Sequence, residues 1–316
     1  MEVIYYILKM SLYFFIPLLV VSLGGLYSEK SGVLNIALEG IMIIGAFCGI
    51  MFLHFAQDYI SGQLLLIYAM LISMIAGGVF SLFHAFAAIT LNADQTISST
   101  ALNTFAASFA IFVARAVLGE QHIYFENTFR ITVPGLKDIP IIGEVFFKDA
   151  YLTTFIGIII LVVTNYIFKK TRFGLRLSAC GENPQAADSL GINVYKMRYI
   201  AVILSGILGG LGGLSYIVPM VNNFGGDVYG YGFLALSVLI LGQWKPMKLF
   251  AAAFFFSIMK TIASAYQSLP VLSDCGLPDT FYKCLPYVIT LIVLTVSSSS
   301  SIGPKAVGEP YDKGKR

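Results

Sequence analysis

Long apolar runs, separated by short polar or Pro/Gly-containing breaks, succeed one another along almost the whole of this 316-residue chain, at about 10–28, 35–56, 63–90, 98–118, 151–168, 199–218, 231–243, 248–266 and 282–297. Most approach the roughly 20 residues a helix needs to cross the hydrocarbon of a bilayer. They are continuous rather than alternating. Backbone in lipid must satisfy its own hydrogen bonds, so such runs read as helices and not as barrel strands. The pattern therefore predicts an all-α, polytopic transmembrane helical bundle of about nine spans occupying residues 1–302. The run from Tyr231 to Gln243 is too short to cross untilted. It reads as a half-helix or re-entrant segment, or as one element with its neighbour across Trp244-Lys245-Pro246. Residues 303–316 carry Pro304, Gly308, Pro310 and Gly314 and are expected to form a polar, disordered tail.

Composition agrees with lipid as the solvent. Hydrophobic residues make up 57% of the chain, charged residues 12%, and mean hydropathy is +0.81, whereas a soluble domain carries about a quarter charged residues. A net charge of +3, spread over separate loops, does not suggest nucleic acid. Short loops rich in Lys and Arg stay in the cytoplasm. The loop 169–198 holds Lys169, Lys170, Arg172, Arg176, Lys196 and Arg198 against Glu182 and Asp188, and the tail ends in Lys313, Lys315 and Arg316. Both are expected inside. The loop 119–150 holds Glu120, Glu126, Asp138, Glu144 and Asp149 and is expected outside, which puts the N-terminus outside, although one miscounted span would reverse it. The opening MEVIYYILKM lacks a basic n-region and cleavage site, so the first run is expected to remain as an anchor. Cys275 and Cys284 share an outer loop, where either a disulfide or two free thiols would fit. Gly206 to Gly213 and Gly77-Gly78 suit close helix packing.

The chemistry is as informative for what it lacks. There is no Gly-x-x-x-x-Gly-Lys-Ser/Thr phosphate loop. His54, His84 and His122 stand singly, without metal-ligand spacing, and read as satisfied or interfacial histidines. Nothing nominates a catalytic group, so the chain is read as a non-enzyme with no cofactor or metal of its own.

Four polar segments remain. In 169–198, Asn183 suits an N-cap, Pro184 the first helical position and Gly191 the stop, giving a short helix with a small apolar face of Ala186, Ala187 and Leu190. Such a helix can dock in a partner's groove or lie on headgroups. Physics alone does not choose. Asn35 and Glu39 interrupt an apolar run four residues apart, where a carboxylate must face protein or water. They either line a path or brace its broken helix, or else Glu39 simply caps backbone amides or pairs with a neighbouring helix. Asp94, Gln95, Thr96, Ser98, Ser99 and Asn103 follow a break at Leu91. Asp94 suits a cap, and the others offer donors and acceptors for a solute, with Asn103 the best of them. Asn222, Asn223, Asp227, Tyr229 and Tyr231 cluster at the expected outer mouth.

The run Gly174-Leu-Arg-Leu-Ser-Ala-Cys-Gly-Glu-Asn-Pro-Gln-Ala-Ala-Asp-Ser-Leu-Gly-Ile-Asn193 resembles the cytoplasmic coupling loop of ABC importer permeases for branched-chain amino acids, ribose and nucleosides. Glu29-Lys-Ser-Gly-Val-Leu-Asn-Ile-Ala-Leu-Glu-Gly40 and Ala235-Leu-Ser-Val-Leu-Ile-Leu-Gly-Gln-Trp-Lys-Pro246 resemble further segments of that group. Their combination is most similar to nucleoside-type permeases that work with a basic-membrane-protein lipoprotein. The resemblance implies a multi-pass subunit in the bacterial inner membrane that imports nucleosides, purine nucleosides first. Its implied partners are a tandem-domain ATPase holding ATP and Mg, a second and paralogous permease subunit, and an extracytoplasmic binding lipoprotein. It implies ATPase coupling through Glu182, Asn183, Pro184, Ala187, Asp188, Leu190 and Gly191, and a solute path among Asn35, Glu39, Asp94, Gln95, Ser98 and Asn103. Ribose-like sugars, another small polar solute, or an ion-coupled transporter using Glu39 or Asp94 remain as alternatives.

Overall fold

The computed structural model describes residues 2–126, 129–132, 134–135, 143–265, 284, 288–289, 291–292, 295 and 303–314. The apolar run 282–297 lies largely outside these residues. So does the Cys275–Cys284 question, because Cys275 is not among them.

The helices are α1 (Glu2–Lys30), α2 (Leu38–Ala56), α3 (Gln63–Ala85, prolonged by a π-helical turn at Phe86–Thr90), α4 (Gln95–Leu118), α5 (Leu152–Lys170), α6 (Arg172–Glu182), α7 (Pro184–Ser189), α8 (Val194–Met220), α9 (Tyr231–Leu241) and α10 (Pro246–Ala265). Among the described residues, seven are long and apolar enough to cross a membrane: α1 to α5, α8 and α10. The expected count of nine is thus seven here, because α9 has 11 residues and the last run is outside the description. The chain is a multi-pass membrane protein.

The centre of the bundle is α8, packed on α1, α2 and α3. Its glycines form the contact: a Cβ on Gly45 or Gly77 would collide with the α8 backbone at Gly206 or Gly210, and one on Gly213 with the backbone of Met42. Small residues let helix backbones meet directly where lipid offers no hydrophobic drive for association. The Gly206–Gly213 run therefore packs.

Two rims close the bundle. At one, β1 (Ile123–Tyr124) pairs antiparallel with β2 (Asn223–Phe224), His54 bonds the Tyr124 carbonyl at 2.7 Å, and Lys9 at the start of α1 meets Asp149 at 3.0 Å. That ammonium holds the Asp149 carboxyl below its usual range. At the opposite rim lie the end of α1, the start of α8, α6, α7 and the basic residues of 169–198. Burial there pushes the Cys180 thiol up to about 11.

The expected disordered tail is different in the structure. Residues 303–314 run as a strap across this basic rim. Ala306 N–H donates to the Gly181 carbonyl at 2.9 Å, Gly308 N–H to Gly32 at 3.3 Å, and the Tyr195 hydroxyl to the Tyr311 carbonyl at 3.3 Å. Ala306 and Tyr311 are buried. Proline and glycine here shape a bound segment, with Gly308 at φ +83, and two apolar side chains anchor it.

Candidate functional site

Between α1 and α2 the chain leaves the helix for Ser31–Ala37, and almost all of this connector is buried. Non-helical backbone inside a membrane bundle must find partners from the surrounding protein. Side chains supply them. Gln95 Oε1 accepts from Leu34 N–H at 2.7 Å. Asn103 accepts from Gly40 N–H at 2.7 Å and donates to the Ile36 carbonyl at 3.0 Å. Ser28 donates to the Val33 carbonyl at 2.8 Å. His84 Nε2 donates to the Leu34 carbonyl at 2.9 Å, which leaves Nδ1 to accept from Ser98 at 3.3 Å. Asn35 accepts from Ala37 N–H at 3.1 Å and donates to Ser205 at 2.9 Å. Ser205 is 11 steps into α8, roughly 16 Å from its start at 1.5 Å per residue. The connector therefore climbs deep into the bundle before α2 begins.

A second helix also begins inside. From β2 at one rim the chain descends through Gly226, beside Ile111, to Gly230. Only there does α9 start. Its other end reaches the basic rim, where Trp244 donates to Glu29 at 2.6 Å. The N-termini of α2 and α9 meet at Glu39. Its Oε1 accepts from Gly230 N–H at 2.8 Å and its Oε2 from Gly232 N–H at 2.6 Å, while the residue itself sits in the first turn of α2. Each helix N-terminus carries about half a positive charge. One buried carboxylate answers both, and Gly232 is the residue type that lets α9 lie against the Glu39 backbone.

The sequence-nominated polar residues thus fall into one connected brace: Asn35, Glu39, Gln95, Ser98 and Asn103. Asp94 caps α4, accepting from Thr96 and Ile97 N–H at 2.8 and 2.9 Å. Of the mouth residues, Asp227 accepts from Tyr229 N–H at 2.8 Å, Asn223 lies in β2, and Tyr231 stacks on Tyr216 with ring centroids 4.0 Å apart.

On the basic rim, Asn183 caps α7 by accepting from Ala186 N–H at 3.0 Å, Pro184 opens the helix, and Gly191 has φ +81. The expected apolar face divides. Ala187 is buried against the bundle, at 2% exposure, whereas Leu190 is 82% exposed. Asp188 is within 3.9 Å of Lys313 of the strap. A groove of about 640 Å³ separates the first turn of α7 from the strap.

Two further residues escaped the sequence reading. Arg198, counted there only among the basic residues that place loop 169–198 inside, is 1% exposed. It donates to the Ser31 carbonyl at 3.2 Å and the Glu309 carbonyl at 3.1 Å, and lies 5.9 Å over the Tyr311 ring. Its register was legible, since it shares a helix face with Val194, Ala201 and Val202. Lys260 lies within α10, with its ammonium 5.8 Å from the Tyr231 ring centroid, a cation–π distance. A lone lysine inside an apolar run was its signal.

Residues 7–294 match the family model described as "Branched-chain amino acid transport system / permease component". The chain is 40% identical over 319 residues to the guanosine ABC transporter permease protein NupQ of Bacillus subtilis (strain 168), covering 100% of this chain and 99% of the relative. It is 38% identical to the nucleoside ABC transporter permease protein NupC of Lactococcus lactis subsp. cremoris (strain MG1363), covering 95% and 94%. The nucleoside ABC transporter permease protein NupB of the same organism is 24% identical, covering 92% of this chain and 79% of the relative. No solved structure matches.

Proposed function

From the premise that this chain belongs to the branched-chain amino acid transport system permease-component family, we propose that it is a nucleoside-importing permease subunit, with purine nucleosides as its solutes. Family membership makes it a transport component and not an enzyme. The observation that carries the substrate is the match, over the full length of both chains, to a permease named for guanosine. Two similar proteins of one organism, both named nucleoside permeases, support a paralogous second subunit completing the path.

On this reading the basic rim faces the cytoplasm of a bacterial inner membrane, as the loop charges suggest. Leu190, which caps the end of α7, and the exposed residues of that helix receive a separate tandem-domain ATPase, which holds ATP and Mg. A binding lipoprotein delivers solute at the opposite rim. Asn35, Glu39, Gln95 and Asn103 act as the brace that holds two discontinuous helices. Ion coupling through Glu39 or Asp94 is disfavoured, because both carboxylates are committed to helix N-termini.

Uptake of labelled guanosine by cells carrying the complete importer tests the assignment. Unlabelled adenosine should compete and ribose should not. ATP depletion should stop uptake, and an uncoupler at constant ATP should not. Competition by ribose alone would refute the substrate. Uptake that follows the proton gradient would refute the energy source.

A further inference from the structure

The strap 303–314 and α7 face each other across the groove on the basic rim. Asn183, Pro184 and Gln185 form one wall, and Glu309, Tyr311 and Asp312 the other. The strap is held by main-chain bonds from Ala306 and Gly308 and by buried Tyr311, so its wall is pre-organised rather than a loose end. The groove also differs in charge from its surroundings. Three carboxylates, Glu182, Glu309 and Asp312, line it against one ammonium, Lys305, on a rim otherwise dense in Lys and Arg.

We propose that this groove is a second docking element for the ATPase subunit and takes a basic side chain from it, so that α7 and the strap form one two-walled seat. The proposal rests on the reading of α7 as the ATPase-facing helix, and it adds the opposing wall and the charge of the guest. Continuity favours this occupant, since the residues that open α7 also line the groove. Charge disfavours the membrane surface, because anionic headgroups are repelled by the carboxylates. The strap is also placed to pass force inward. Arg198 bonds Glu309 on the strap and Ser31 at the foot of the connector.

The test uses the permease assembled with its second subunit, and measures ATPase binding by calorimetry at low and high salt. The variants are Glu309→Lys with Asp312→Lys, and separately Leu190→Arg. Both acidic residues are exposed, so folding should be unaffected, as a melting curve will register. If the double reversal does not fold, Glu309→Gln with Asp312→Asn replaces it. Reversal should weaken binding about tenfold or more and flatten its salt dependence, and guanosine-stimulated ATP hydrolysis should fall in parallel. Binding within twofold of the parent, with Leu190→Arg abolishing it, would overturn the groove and leave α7 standing. Normal binding by both variants would remove the α7 reading as well.

Discussion

Glu39→Gln separates a bracing role from a solute-binding one. The wild-type carboxylate is 6% exposed and accepts at 2.8 and 2.6 Å from two amides at the start of α9. Glutamine offers one oxygen. Its NH2 group would be set against whichever N–H the second oxygen had served. One charge-assisted bond, about 1.5–3 kcal/mol, is lost, and the other falls to the neutral level of about 1 kcal/mol. Two helix N-termini also lose their counter-charge, worth about 0.3–1 kcal/mol each at an exposed site. The expected cost is about 2–4 kcal/mol once relaxation is allowed. At roughly 2 °C per kcal/mol for a chain of this size, the Tm of the purified permease should drop by about 4–8 °C. Guanosine uptake should fall with the amount of folded protein, at unchanged KM. An unchanged Tm with a raised KM would refute the brace and return Glu39 to the solute path.

Asn103→Leu leaves Gly40 N–H and the Ile36 carbonyl buried without partners, about 1–3 kcal/mol each; thermal melting should show a loss at least as large as that of Glu39→Gln, and a stable variant would refute the geometry. Ala187→Arg forces a charge into a packed site and should make α7 sensitive to proteolysis, whereas Leu190→Arg should fold normally and fail to retain the ATPase on co-purification. Tyr311→Ala removes the ring that packs on Tyr195 at 5.3 Å and under Arg198. A cost of about 3–5 kcal/mol is usual for truncating a buried aromatic. Cleavage within 303–314 should accelerate, and an unchanged cleavage rate would mean the strap is held by its main chain alone.

The membrane bundle was legible because its physics is periodic and local. Runs of some twenty apolar residues mark spans without knowledge of what they touch, and the observed ends of α2, α4 and α5, and of α3 taken with its π-helical turn, fall within three residues of the sequence boundaries. Local caps were equally legible: Asp94, Asn183 and Gly191 act on amides and turns within a few positions of themselves. What sequence could not assign is what a polar residue bonds across the bundle. Glu39 had a path reading and a bracing reading, Asn103 only a solute-contact one, and assigning them required knowing that Gly230 and Ile36, far away in sequence, present free backbone beside them. The tail misled for a related reason. Its Pro and Gly content resembles a disordered end, and only the matching surface around Gly32, Gly181 and Arg198 turns it into a strap.

That surface suggests where the transporter bends. Among the described residues, α8 meets α2 and α3 by direct backbone contact at Gly206, Gly210 and Gly213, a seam too close to admit even a Cβ at these positions. Packed interfaces of that kind move as blocks. The connector 31–37 and the descending stretch 225–230 are different, because they are non-helical and are held by side-chain bonds that can exchange. Both end at Glu39. On the proposed reading of α7 as the ATPase-facing helix, force entering there and at the strap would reach Ser31 through Arg198, pass along the connector, and arrive at the carboxylate that ties α2 to α9. Hydrogen exchange on the assembled importer, with and without nucleotide, tests this order. Amides of 31–37 and 225–230 should change protection when ATP binds, while those of 206–213 stay protected. Exchange that changes chiefly in the α8 glycine run would make that run a hinge, and would reverse the packing role assigned to it.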